Sequence, residues 1–258
     1  MKQYRIRGVF LILFFLISSL AHANTVTLYG PGGPHSALIQ VSESFTKTTG
    51  IKVDIVYGPQ AKWDKEVLKK ADIIYSASDN QMVAFVERYK EKFSQKNTQA
   101  LYLHKAIIIT QKGNPKKIQG IRSLLKPSIN IVVNDGAGIS QTSGTGVWED
   151  IVGRLRNIEE YNQFRKNIVF FAPNSGTARA KFTDANAKID AWITWEDWSI
   201  TNDIGTTVEI EDDLAIYRPL VITHINNASQ ATQQFITFLQ SKQAEAIFLK
   251  FGWFRKNK

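Results

Sequence analysis

Three short stretches pair glycine with hydroxyl side chains where a strand pattern gives way to a helix pattern: GPGGPHS at Gly30–Ser36, TSGTG around Ser143–Thr145, and NSGTA around Ser175–Thr177. The first turn of a helix leaves backbone N–H groups unpaired and carries partial positive charge. Glycine lets a ligand approach that backbone, and Ser or Thr adds O–H donors. Any one of these junctions is explained by ordinary N-capping. Three of them at corresponding places, with their helix N-termini facing one cleft, would make an anion site. On that reading Gly33, His35 and Ser36 supply the first wall, and GPGGPH is glycine-rich because its amides meet an anion.

Catalytic chemistry has weaker support. Beyond His22, the histidines are His35, His104 and His224, far apart and without a paired metal-binding spacing, and the chain has no cysteine. A dedicated transition-metal site, a nucleophile elbow and a phosphate-binding lysine loop are all unsupported. No catalytic residue, metal or cofactor is expected. Glu196-Asp197 is the densest acid pair near a strand end and reads as solvated or helix-capping. His104 and His224 read as satisfied structural residues within long strands.

The elements that must carry these junctions alternate. Thr25–Tyr29 reads as a strand, 34–47 as a helix stopped by Gly50, 51–57 as a strand, 62–70 as a short helix and 71–78 as a buried strand. Met82, Phe85, Val86, Tyr89 and Phe93 have helical spacing and read as core. After a long strand at 100–110 the pattern resumes: strand 129–135, helix 144–155, strand 167–172, helix 175–187, strand 190–195. A second long strand, 214–225, precedes two amphipathic helices. This order predicts an α/β layer structure with mostly parallel sheets. The two long strands suggest two lobes joined by two crossings, with a pocket between them.

The segment 1–23 reads as a secretory signal: basic Lys2, Arg5 and Arg7, an apolar run to Leu20, and Ala21-His22-Ala23 as the cleavage site. The expected location is the periplasm. Three of the nine net positive charges fall in that segment, which leaves +6 dispersed among acids, so nucleic-acid binding is not expected.

Beyond these residue-level readings, "SFTKTTGIKVDIVYG", "ADIIYSAS", "LYLHKAIIITQKGNP", "TSGTGVWEDI", "SGTARAKF" and "IDAWITWEDW" together resemble the type II periplasmic solute-binding proteins, in the branch that binds sulfate and molybdate. "YGPGGPH" is similar to the accessory colonisation factor C group of that family. The resemblance implies a two-lobe fold with lobe 1 at 24–109, lobe 2 at 110–213, and a return crossing with C-terminal helices at 214–258 that completes lobe 1. It implies a monomer that captures a small oxyanion, sulfate-like, for an ABC transporter component or a chemoreceptor. It carries ligand contacts onto Ser143, Gly144, Thr145, Thr177, Ala178 and Trp195, with Arg179 as a nearby positioning charge. Where the sulfate and molybdate binders carry a serine after the second strand, this chain has Gln60. A small organic carboxylate, a hydrolase acting on phosphate or sulfate esters, and a colonisation protein with a vestigial cleft are the alternatives.

Overall fold

A computed structural model describes residues 25–256, so the expected signal segment lies outside the described residues. Strand β1 (Val26–Gly30) leads into helix α1 (His35–Thr49), followed by β2 (Val53–Tyr57), α2 (Asp64–Lys70), β3 (Ile73–Ser76) and α3 (Asp79–Arg88). The long strand β4 (Gln99–Thr110) opens the second alternation: β5 (Ile131–Asn134), α4 (Val147–Gly153), α5 (Ile158–Asn167), β6 (Ile168–Ala172), α6 (Ser175–Thr183), β7 (Ala191–Trp195), α7 (Glu196–Thr201) and β8 (Thr206–Val208). Strand β9 (Tyr217–His224) returns, and α8 (Gln230–Leu239) and α9 (Lys242–Leu249) follow.

The strands run in the order β2-β1-β3-β9-β4-β7-β5-β6, with β8 also on β4. Pairing is parallel in both arms of the sheet, β1 with β2 and β3, and β5 with β6 and β7. Every antiparallel pair involves β4 or β9. These are the two strands read as crossings. The first half of β4 pairs with β9 through Lys105, and Ala106 onward pairs with β7.

Four hydrophobic clusters cover the two faces of the two arms. In the first arm Leu38, Val41 and Phe45 of α1 meet Phe235 and Phe248 over one face, while Trp63, Val67, Met82 and Phe85 cover the other. In the second arm Trp148, Ile151 and Phe164 fill one face and Ala178, Phe182 and Trp192 the other. Leu101 and Tyr102 of β4 belong to the first arm's core, and Ala106–Ile109 to the second's.

Several boundaries differ from the sequence reading. Helix α4 starts at Val147, not at Gly144, because Gly146 takes a left-handed φ of 75° and holds 143–146 as a separate turn. Helix α5 was not expected. Its residues are mostly polar and it buries only Phe164 and Asn167. The helix expected over 175–187 stops at Thr183, where Asp184 turns extended and caps a single 3-10 turn. The strand expected from 214 begins at Tyr217. Among the described residues no helix is long and apolar enough to cross a membrane.

Candidate functional site

The β1–α1 turn is bare backbone. Gly30 packs so closely on β3 that a Cβ would lie 2.5 Å from the Tyr75 carbonyl oxygen, which excludes any larger residue. Pro34 precedes α1 with no side-chain cap, so the turn spends no hydroxyl on its own helix. The His35 Nδ1–H donates to the Gly32 carbonyl, which fixes the tautomer because a carbonyl only accepts. Its Nε2 is then left to accept from the Ser36 hydroxyl, 3.3 Å away, and its ring stacks on Tyr57 at 4.3 Å. His35 and Ser36 therefore serve the turn itself.

Gln60 has a different setting. Its amide donates to the Tyr89 hydroxyl at 2.9 Å and to Asp64 at 3.4 Å. Arg88 also donates to Asp64, and this hydrogen bond is the main reason the Asp64 carboxyl falls to about 2. Gln60 belongs to that cluster beside the turn after β2.

In the second arm the Ser143–Gly146 turn is built by its own hydroxyls. Thr145 Oγ1 accepts from the Thr142 N–H at 2.9 Å, and the Gly144 N–H donates to Thr142 Oγ1 at 3.2 Å. Gly144 is pressed against β5, where a Cβ would lie 2.2 Å from the Asn134 carbonyl oxygen. Arg218 of β9 reaches across to this turn. Its Nη1 donates to the Ser143 and Thr145 carbonyls at 3.1 and 3.0 Å, and its Nη2 pairs with Asp150 at 3.1 Å. Burial pushes the Arg218 pKa down, and Asp150 opposes that shift. With its carbonyls held, the turn keeps the Ser143 hydroxyl without a partner among the described residues, although Ser143 is buried.

At the third junction Asn174, rather than a hydroxyl, caps α6. Its Oδ1 accepts from the Thr177 N–H at 2.9 Å and the Thr177 hydroxyl at 3.2 Å, and its carbonyl accepts from the Ala178 N–H at 3.0 Å. The donors of Thr177 and Ala178 are thus engaged within the helix. Ser175 accepts from the Asn134 amide at 2.6 Å, which ties this junction to the end of β5. Arg179 is exposed, like its neighbour Ala180 on α6.

Trp195 joins the walls. It ends β7, is 2 % exposed, and lines a cavity of about 10 Å³ with Asn134, Gly144 and Thr194. Its ring stacks on His104 at 4.0 Å, and Trp253 stacks on the other face at 4.0 Å. His104 Nδ1 lies 3.0 Å from Asp197 Oδ1, and Nε2 lies 3.2 Å from the Ala77 carbonyl. Asp197, expected to be solvated or helix-capping, is neither: it is 2 % exposed, makes no cap hydrogen bond to α7 and faces His104 instead. Asp197 Oδ2 stands 3.2 Å from where a Gly33 Cβ would be. So Gly33, Asp197, His104, Trp195 and Gly144 form one continuous series across the two arms. A further link joins α3 to the loop before α4, where the Gln81 amide donates to the Gln141 carbonyl at 3.0 Å.

Arg218, Asp197 and Gln81 were not among the expected site residues. Arginine in the otherwise apolar run of β9 was the available signal for the first. The larger surface depressions, about 440 Å³ beside Lys116 and Asp190 and about 510 Å³ between α1 and β2, contain none of the expected site residues. No group of three or more His, Asp or Glu poised for a metal occurs among the described residues.

The family model of bacterial extracellular solute-binding proteins matches residues 26–254. The crystal structure of L-phospholactate-bound PEB3 is 49 % identical, with TM-score 0.86, over 90 % of this chain and all of that one. Peb3 from Campylobacter jejuni is 48 % identical, with TM-score 0.85 and the same coverage. The sulfate-binding protein SubI from Mycobacterium tuberculosis H37Rv shares the fold at 16 % identity and TM-score 0.73, over 89 % of this chain and 86 % of that one. No curated protein matches the chain.

Proposed function

The chain belongs to the bacterial extracellular solute-binding protein family, and we propose that it captures a small anion bearing a tetrahedral oxyanion group, sulfate-like or phosphoryl, in the cleft between two lobes. The first lobe comprises the arm carrying β1–β3, completed by α8 and α9, and the second the arm carrying β5–β7. On this reading β4 passes from one to the other between Tyr102 and Ala106, and β9 makes the return crossing. Ser143 and Trp195 hold the anion from the second lobe on a turn shaped by Gly144 and Thr145, and the Gly33 backbone meets it from the first.

The observation that carries this reading is a pair of donors without a protein partner on two largely buried residues. The Ser143 hydroxyl and the Trp195 indole N–H are given no acceptor by the described residues, yet both residues are buried. Neither atom is fully enclosed, so both donors stay open to an acceptor that a bound anion supplies. The 49 % identical PEB3 structure with L-phospholactate supports a phosphoryl-bearing solute over sulfate itself.

Thr177, Ala178 and Arg179 contribute through the rigid seat of α6 rather than by direct donation. The protein is exported by its N-terminal signal, works as a monomer in the periplasm, and delivers the solute to an ABC transporter component or a chemoreceptor; a link to colonisation rests on resemblance alone. Native mass spectrometry of gently purified chain, with melting shifts for phosphate, L-phospholactate, sulfate, molybdate and small dicarboxylates, tests the reading. A retained small anion, or a melting rise with a phosphoryl or sulfuryl member, is the expected result. No shift with any member overturns it, and a rise with dicarboxylates alone replaces it with the carboxylate reading.

A further inference from the structure

We propose, resting on the reading that the cleft takes a small anion, that Asp197 is its specificity-determining acceptor and selects solutes that bring a hydrogen to it: oxyanions with a protonated oxygen or an adjoining hydroxyl, in preference to fully deprotonated ones.

The argument starts from His104, which is 0 % exposed and has an acceptor at each ring nitrogen. The Ala77 carbonyl, 3.2 Å from Nε2, only accepts, so Nε2 carries a hydrogen. Between Nδ1 and Asp197 Oδ1, 3.0 Å apart, one further hydrogen must lie, since otherwise two lone pairs face each other in a dry site. Whether that hydrogen resides on nitrogen or on oxygen, the pair as a whole is electrically neutral. The flanking faces of Trp195 and Trp253, each with its centroid 4.0 Å from that of the imidazole, suit a ring that carries positive charge. A neutral pair does not repel an anion as a bare carboxylate would.

This count leaves Oδ2 with no hydrogen. No described residue donates to it, and the Asp197 side chain is only 3 % exposed. It is therefore an acceptor on a nearly buried side chain, oriented by His104, not fully closed to solvent and unsatisfied by the protein. Gly33 keeps its approach open, because the nearest atom to a Cβ placed there is Oδ2 itself, at 3.2 Å. Other charges nearby are accounted for. Glu196 pairs with Lys105 at 3.4 Å, and Lys105 also reaches Glu209 at 2.9 Å. A solute oxygen bearing hydrogen satisfies Oδ2, whereas a sulfate oxygen sets lone pair against lone pair.

Inorganic phosphate and inorganic sulfate have one shape and differ in this hydrogen, so calorimetric titration of both at pH 7 reads the proposal directly. Wild type should bind phosphate at least about tenfold more tightly, the scale of one hydrogen bond to a charged group. Asp197→Leu, of similar length and branching, should bring the phosphate-to-sulfate ratio close to one. Asp197→Asn should keep the preference, because its NH₂ can donate to His104 Nδ1 while its oxygen still faces the cleft. Sulfate bound as tightly as phosphate by wild type overturns the proposal, and this arm stands even if Asp197→Leu does not fold. So does an Asp197→Leu protein in which both affinities fall together and the ratio stays, which marks a purely structural residue. Either result leaves the anion-binding reading intact. A wild type that takes up no member of the anion panel overturns both.

Discussion

Gly33 and Gly144 each bring bare backbone to the proposed cleft, but what stands behind them differs in sign. Behind Gly33 is an acceptor, Asp197 Oδ2, held in place by His104. Behind Gly144 is a cation, Arg218, whose guanidinium grips the Ser143 and Thr145 carbonyls. The first wall is a loop that leans on the opposite arm. The second is a turn braced from the crossing strand β9. A glycine-rich junction is thus only half of a binding wall, and the group that orients it decides what it offers to a solute.

Breaking the brace should have the largest effect. Arg218→Met leaves the Ser143 and Thr145 carbonyls without their donor, and two hydrogen bonds from a mostly buried guanidinium, at about 1.5–3 kcal/mol each, put the loss at about 3 kcal/mol, to which the half-exposed Asp150 adds little. Denaturant titration should show that loss, and anion affinity should fall with it. Arg218→Lys keeps the charge but not the fork, and should recover part of the stability and less of the affinity.

The two glycines themselves should respond unequally. Gly144→Ala drives a methyl to 2.2 Å from a backbone oxygen, and should cost about 2 kcal/mol together with anion binding. Gly33→Ala meets only a carboxylate oxygen at 3.2 Å, and should fold nearly as well as wild type while binding more weakly. Equal melting temperatures for the two variants would erase the asymmetry.

The Asp64 cluster tests whether the first wall contributes charge. Arg88 holds the folded Asp64 carboxyl at about 2, below its ordinary 3.8, so its stabilisation is complete above about pH 4 and is lost as pH falls toward 2. Because the group is partly open to solvent, the loss should be about 1 kcal/mol. Asp64→Asn should lack that acid-dependent component in urea titrations and leave anion affinity at pH 7 unchanged. Smallest of all, Arg179→Gln lies on the exposed face of α6 and should shift stability by under about 0.5 kcal/mol, with any binding change confined to the salt-dependent association rate.

Much of this arrangement is visible in the amino-acid order because it is local. The alternating strands and helices, the two long strands, and the glycine at each turn all rest on periodicities of a few residues. Helix α5 escaped because Phe164 is nearly alone in facing the core, although Asn157 as cap, Glu159 and Glu160 in the first turn, and Arg165 and Lys166 in the last had marked its ends. The start of α4 escaped because the left-handed Gly146 and the Thr142–Thr145 hydroxyl bonds hold the preceding turn apart. The orienting groups were less accessible still. Arg218 acts 75 residues from Ser143, and His104 lies 93 residues from Asp197, so no local pattern records either pairing. At the third junction Asn174, one residue upstream of Ser175, takes the free Thr177 N–H of α6 ahead of the hydroxyls.

The central claim is that the unpaired donors of Ser143 and Trp195 hold the solute. Calorimetric titration of wild type, Ser143→Ala and Trp195→Phe with the anion that the wild type retains tests it most directly. Each substitution deletes one donor to a charged acceptor and little else, so affinity should fall about tenfold or more in each while melting temperature without ligand changes little. Wild-type affinity in both variants would contradict the account and place the solute elsewhere on the molecule.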